Sequence, residues 1–387
     1  MVTDEVRRPI DFALPMPVVL GLIPLGFALL GLAIRYAAYA HIVPDANVAN
    51  FANGLCRWDC NWYVKIAESG YDSFPVPNKI SAGNWAFFPL YPFFVGLLRL
   101  ISGLPTMPLA TATSIVLSMA STFVAWPLLE RNLRAYTLYC SFLLCGPFSI
   151  YFATFYTEVA FILLTNCVFL ALKRSNYIVA GLFGALLSAT RIVGVFIVFA
   201  IAVQGLMDYR SKHGSTAGFI RTSLKQPQLL AAIFLAPLGL FAYMAYLYFL
   251  MGDGLAFQHV QRAWARVSGN PFDFLWQAIT WVDRTGFWIS PPQQLATAAI
   301  CGFALVGVLI WRRQYAPAIF CLVCIVLPLF AGMASMLRFV VALSSLMLAL
   351  MGLLAKYRLV FLTMLAMFVV ADYFCTIGWL TEYLSLV

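Results

Sequence analysis

Apolar runs of about 20 residues, the length that carries an α-helix across a bilayer, recur along the whole sequence between short polar or basic turns. Within each run the apolarity is continuous, not alternating, which excludes a transmembrane β-barrel. The pattern predicts an all-α polytopic membrane protein of about 11 transmembrane helices in one integral-membrane domain, 1–387. The spans are expected near 17–41, 107–129, 135–153, 157–173, 176–190, 192–208, 228–251, 293–311, 315–333, 338–355 and 359–378. The first extracytoplasmic loop, 42–106, interrupts this pattern most. Its segment Trp58 to Pro92 is the longest polar, turn-rich stretch of the chain. There Asp59 stands where a helix N-cap belongs, Trp62 and Ile66 share a helical face, and Gly70 suits the position just past a helix end. A short interfacial helix over 60–69 is expected.

The basic residues orient the bundle. Arg7 and Arg8 place the N-terminal tail in the cytoplasm and mark a retained signal anchor. Residues 86–103 are apolar but carry Pro89, Pro92 and Arg99. If they crossed the membrane, Arg131, Arg134, Lys173 and Arg174 would all lie outside, against the positive-inside rule. Laid along the outer surface, they leave 14 of the 24 Lys and Arg on the cytoplasmic side, with 208–227 as the main basic cytoplasmic loop. The second extracytoplasmic loop is then 252–292. Arg35, near the outer end of the first span, is expected to snorkel. Asp59, Glu158, Arg191, the 252–290 loop and Arg338 fall together on the outer side. Such one-sided convergence suits work on a lipid headgroup better than transport, whose sites lie near the midplane.

Composition agrees. The chain is 63% hydrophobic and 10% charged with mean hydropathy +0.89, far from a soluble domain at about 25% charged. Its net charge of +9 is read as topology, since no nucleic-acid-binding motif accompanies it. Seven of nine cysteines lie in apolar runs, where Cys acts as a small hydrophobe. Cys56 and Cys60 flank Asp59. A spacing of four on one helical turn is poor disulfide geometry, so free thiols are expected. His41, His213 and His259 are too scattered for a metal site.

The run Trp58-Asp59, Tyr63, Ile66-Ala67, Gly70-Tyr71, then Ala86 to Pro92, resembles the signature of PIG-V-type mannosyltransferases, including their bacterial relatives. Pro147, Tyr156-Thr157-Glu158, Ala189-Thr190-Arg191 with Gly194, Gly252-Asp253 with Phe257, Gln261, Trp264 and Arg266, and Ser335 to Arg338 follow in matching order. The chain departs from the family where Trp62 replaces a frequent His. The resemblance implies a GT-C fold and a polyprenyl-phosphate-mannose donor, with a lipid or glycan hydroxyl as acceptor. It also implies an active site on the extracytoplasmic face, here of a bacterial inner membrane. Because the leaving group is a stable phosphate, one carboxylate base is enough, and by analogy Asp59 would take the acceptor proton in a single inverting displacement.

Substrate contacts are expected from Trp58, Tyr63, Lys65, Tyr91, Glu158, Arg191, Gln261, Trp264, Arg266 and Arg338. Arg191 and Arg338 would face the lipid phosphate, Trp264 a sugar face, Gln261 hydroxyls, and 87–92 the lip of a prenyl entrance. Plainer roles stand beside these: Asp59 as a helix cap, Glu158 as a solvated acid at a helix start, and Arg338 as a snorkelling side chain. Arg191 could equally pair with Glu158, Lys65 could lie on a solvated face, and Asp253 could serve its Gly-Asp-Gly turn alone. No tightly bound cofactor or metal is expected, a loosely held divalent ion with the lipid phosphate being the one allowance. Membrane lipids are the expected surroundings. Another polyprenyl-phosphate sugar, a lipid-linked-sugar flippase and a non-catalytic assembly subunit remain alternatives.

Overall fold

The computed structural model describes residues 15–73, 82–223, 226–264, 266, 268–281 and 290–382. Arg7, Arg8, Lys225 and the loop segments 74–81 and 282–289, which entered the orientation argument, lie outside the described residues. Among the described residues the secondary structure is entirely helical.

Helix α1 (Met16–Ile42) is about 40 Å long and leads into two short helices, α2 (Val48–Gly54) and α3 (Cys60–Ser69). The predicted interfacial helix is thus α3, closed by Gly70 at φ +76°, a backbone angle that L side chains rarely adopt. Helix α4 (Leu90–Ser102) is some 20 Å long, short of a bilayer crossing, and exposes Phe93, Phe94, Leu97, Leu100 and Ile101 along one side. The bundle continues through α5 (Thr106–Ala125), α6 (Leu133–Cys145), α7 (Ser149–Ala153), α8 (Glu158–Lys173) and α9 (Tyr177–Ser188). A 3₁₀ turn over Ile192–Phe196 feeds α10 (Ile197–His213), then come α11 (Phe219–Ser223), α12 (Pro227–Leu235) and α13 (Leu238–Met251). The second loop holds α14 (Ala256–His259), a 3₁₀ turn Val260–Trp264 and α15 (Pro271–Ile279). Helices α16 (Pro291–Trp311), α17 (Tyr315–Leu329), α18 (Met336–Val341), α19 (Ser344–Leu354) and α20 (Arg358–Leu380) complete the chain.

Among the described residues six stretches are long and apolar enough to cross a membrane: Met16–Ile42, Thr106–Ala125, Ile192–His213, Pro227–Met251, Pro291–Trp311 and Arg358–Leu380. Three expected spans are broken. The 135–153 run stops at Cys145, where Pro147 cannot continue the helix, and resumes as α7. The 228–251 run bends at Pro237 between α12 and α13. The 338–355 run divides at Ala342 and Leu343 into α18 and α19, and so presents Arg338 on a short, independently aimed helix.

Helix α1 packs on α6 and α20, α5 on α8, α8 on α9, and α16 on α17, α18 and α19. The contact of α1 with α6 is close enough that a Cβ on Gly31 would sit 1.9 Å from the Leu144 carbonyl oxygen, so only glycine fits. Arg35 does not snorkel. It is buried, with Nη1 donating to Ser149 Oγ (2.7 Å), the Leu144 carbonyl (3.1 Å) and Asp372 Oδ2 (3.3 Å). Ser149 completes the ring by donating to Asp372 Oδ1 at 2.8 Å. Snorkelling assumes a free path to water, and α6, α7 and α20 close that path.

Candidate active site

The turn that carries Asp59 is closed by a disulfide between Cys56 and Cys60, correcting the expectation of free thiols. That expectation put both cysteines on one helical turn. Cys56 instead precedes the helix, and Trp58 takes the left-handed region at φ +45°, which folds 56–59 so that the two Cα atoms stand 5.4 Å apart. Trp58 then lies edge-on against Trp379 at 4.5 Å between ring centroids, and Trp379 Nε1 donates to the Leu55 carbonyl (2.9 Å).

Asp59 does not cap α3. Its backbone is already helical at φ −62°, ψ −24°, where a capping side chain cannot reach back, and it makes no capping bond. Its Oδ2 instead accepts a 2.7 Å hydrogen bond from Nη1 of Arg338, 279 positions away. Arg338 Nε also stands 3.1 Å from Oε1 of Glu158, and Arg191 Nη1 donates to that same oxygen at 3.1 Å. The four groups form a chain, Asp59–Arg338–Glu158–Arg191. The guanidinium of Arg338 lies 5.3 Å over the Tyr156 ring, and that of Arg191 lies 4.8 Å over Phe339.

Burial sorts the members. Glu158 is 1% and Arg338 7% exposed, whereas Asp59 keeps 19% and Arg191 13%. Glu158 is therefore no solvated acid and Arg338 no snorkelling side chain; each is paired inside the bundle. Glu158, first residue of α8, gains from the helix dipole, yet its Oε2 is buried without a hydrogen bond among the described residues. Asp59 Oδ1 likewise takes no hydrogen bond from the described residues, but it belongs to the more exposed carboxylate. Ser335, opening the helix of Arg338, sits in the left-handed region at φ +64°. Non-glycine residues in that region flank both halves of the Asp59–Arg338 pair, a strain of about 1–3 kcal/mol each that the surrounding packing must hold.

Arg266 comes into electrostatic reach from the second loop. Burial pulls its pKa down and Arg338 repels it, Asp59 attracts it, and Arg191 repels it, all from the same small region. With Arg266 the neighbourhood holds three cations against two carboxylates. Tyr63, one turn beyond Asp59, sits with its hydroxyl 3.4 Å from Thr157 Oγ1. Burial, then Glu158 and Asp59, push its pKa up, so the hydroxyl keeps its proton. Trp264 meets Trp62 at 6.0 Å and Phe87 at 5.9 Å, and Trp62 stacks on Phe87 at 5.8 Å, which gives α3 an aromatic wall.

Other expected contacts fall elsewhere. Lys65 is tied to Asp72, its Nζ 2.6 and 2.7 Å from the two carboxylate oxygens. Tyr91 is buried against α5, its hydroxyl bonded to Ser114 Oγ (2.6 Å) and the Ala110 carbonyl (3.2 Å), away from the ion cluster's hydrogen bonds. Gln261 donates to the Phe257 carbonyl at 3.2 Å. Asp253 does more than serve its turn, accepting from His259 at 2.8 Å. Tyr156, already part of the motif Tyr156-Thr157-Glu158, supports the cluster together with Phe339 and Trp379, which carry no sequence signal beyond being aromatic. Both carboxylates are already held by guanidinium groups and the excess charge is positive, which suits an anion better than a divalent cation.

No family model matches the chain. Among curated proteins, the GPI alpha-1,6-mannosyltransferase 2 of Mus musculus is 27% identical over 225 residues, covering 53% of this chain and 43% of the mouse protein. That of Homo sapiens is 28% identical over 230 residues, covering 54% and 43%. That of Cricetulus griseus is 26% identical over 227 residues, with the same coverage as the human protein. The chain spans less than half the length of these relatives.

Proposed function

We propose that this chain, over about half its length a distant homologue of PIG-V-type mannosyltransferases, transfers mannose from a polyprenyl-phosphate carrier to a lipid or glycan hydroxyl. The observation that carries the proposal is the open ion cluster, in which partly exposed Asp59 is bound to Arg338, Arg338 is linked through Glu158 to Arg191, and Arg266 lies in electrostatic reach. In the proposed step the acceptor hydroxyl oxygen attacks the anomeric carbon, its proton passes to Asp59 Oδ1, and the bond from that carbon to the phosphate oxygen breaks. The electron pair leaves with the polyprenyl phosphate, whose negative charge the surplus arginine charge receives. Oδ1 is the oxygen left over from the Arg338 contact, so Asp59 can act without giving up its anchor. Glu158, almost without exposure, holds the two arginines in place.

Two features support an extracytoplasmic active face. A disulfide beside Asp59 suits an oxidising compartment. Lys173, Arg174 and Arg131 lie at or just past the far ends of α8 and α5, and Arg134 in the first turn of the returning α6, as the positive-inside rule asks if that end is cytoplasmic. Placement at one end also favours a transferase over a flippase.

Purified full-length protein would be given radiolabelled polyprenyl-phosphate mannose and a membrane-lipid extract, wild type beside Asp59→Asn. Wild type should form a labelled product, and the variant should lose about 10²–10⁴-fold of that rate. Near-wild-type transfer by Asp59→Asn would overturn the base assignment.

A further inference from the structure

The opposite end of the bundle holds a second place built for an anion. Helix α5 starts at Thr106, whose hydroxyl meets Glu68 of α3, and ends about 30 Å away; α8 starts at Glu158 and ends about 24 Å away. Between those far ends lies a cavity of about 700 Å³, one membrane thickness from the candidate active site. Phe123, Val124, Trp126 and Leu170 form its apolar wall, and Arg131 and Arg174 stand at its exposed mouth.

The local backbone brings both arginines to the rim of the same cavity. Lys173 Nζ donates to the Pro127 carbonyl at 2.7 Å, pinning the end of α8 to the turn after α5. Glu130 and Arg131 are consecutive left-handed residues (φ +54° and +58°), and Ser175 beside Arg174 is a third (φ +52°). Neither arginine has an ion-pair partner among the described residues. Two exposed cations at the mouth of an open, largely apolar slot match one chemical class, an amphiphile with an anionic phosphate head.

We infer that this cavity binds an anionic phospholipid of the leaflet opposite the active site. Its phosphate lies between Arg131 and Arg174, and an acyl chain runs along Phe123, Val124 and Leu170. The inference is independent of the proposed reaction.

Native mass spectrometry of full-length protein in detergent, titrated with phosphatidylglycerol or phosphatidylcholine, tests it. Wild type should retain phosphatidylglycerol preferentially, and the double variant Arg131→Gln/Arg174→Gln should lose roughly tenfold or more of that affinity. Leu170→Trp keeps both charges but fills the slot, so it should weaken lipid retention on its own and serves if the double variant folds poorly. Equal retention of the two lipids, or unchanged retention in the variants, would overturn the site. Saturable binding of inorganic phosphate without preference for phosphatidylglycerol would overturn the lipid in favour of a free anion.

Discussion

Two buried arginine–carboxylate groupings divide this molecule's polar interior, and they differ in whether they close. Arg35 and Asp372 are each 1% exposed, and Ser149 and the Leu144 carbonyl complete their ring. Asp59, Arg338, Glu158 and Arg191 form an open line whose ends reach 19% and 13% exposure, with a carboxylate oxygen unbonded and Arg266 in surplus. A closed ring stabilises one packing of α1, α6, α7 and α20 and offers nothing to a ligand. An open line with excess charge is incomplete until something binds. Arg35 Nε is itself buried without a hydrogen-bond partner among the described residues, so neither intramembrane charge nor an unpaired atom marks a site; partial exposure and unbalanced charge distinguish the open line.

The sharpest way to break this contrast is to compare Asp59→Asn with Asp372→Asn. The first should abolish most transfer while moving the thermal midpoint little; the second should move the midpoint and leave residual activity in proportion to folded protein. Next in size is the closed ring itself. Asp372→Ala strands a buried guanidinium and should cost about 3–5 kcal/mol in an unfolding titration, while Arg35→Met with Asp372→Leu should recover most of that loss. If the double variant is no better than the single, the ring has a further role. The Asp59 turn comes third. Cys56→Ser with Cys60→Ser should lower kcat by on the order of tenfold through misplacement of Asp59, with KM less affected.

The smallest effect belongs to Asp253 and His259. The hydrogen bond from His259 holds the Asp253 carboxyl below its usual range, so its contribution is present above about pH 4 and lost as pH falls through the lowered value. The pair is exposed, so His259→Ala should cost under about 1 kcal/mol at pH 6, and the difference from wild type should vanish once pH falls below the lowered carboxyl value.

How much of this was legible depended on range. Helix α3 and its Gly70 ending follow from local spacing and appear where expected. No periodicity links Asp59 with Arg338, 279 positions apart, but the placement of spans and basic loops brought both to the outer side; their direct pairing was not foreseen. Arg35 was misread for the same reason: depth is visible in a sequence, but its partner lies 337 residues away. Asp372, a lone acid inside a 23-residue apolar helix, was the available clue. The disulfide was missed because a spacing of four was read as one helical turn, although Cys56 precedes the helix that starts at Cys60; Lys65 meets Asp72, just outside the motif, and Tyr91 meets the distant Ser114.

The distance in sequence between Asp59 and Arg338 also has a temporal meaning. At about 5–20 residues per second, a ribosome adds Arg338 roughly 15–60 s after Asp59. Through that interval Asp59 and Glu158 have no Arg338 to hold them, and the nascent first half must keep both acids hydrated or otherwise accommodated. The ion cluster can therefore assemble only after Arg338 has been added, well after the helices that carry its two acids.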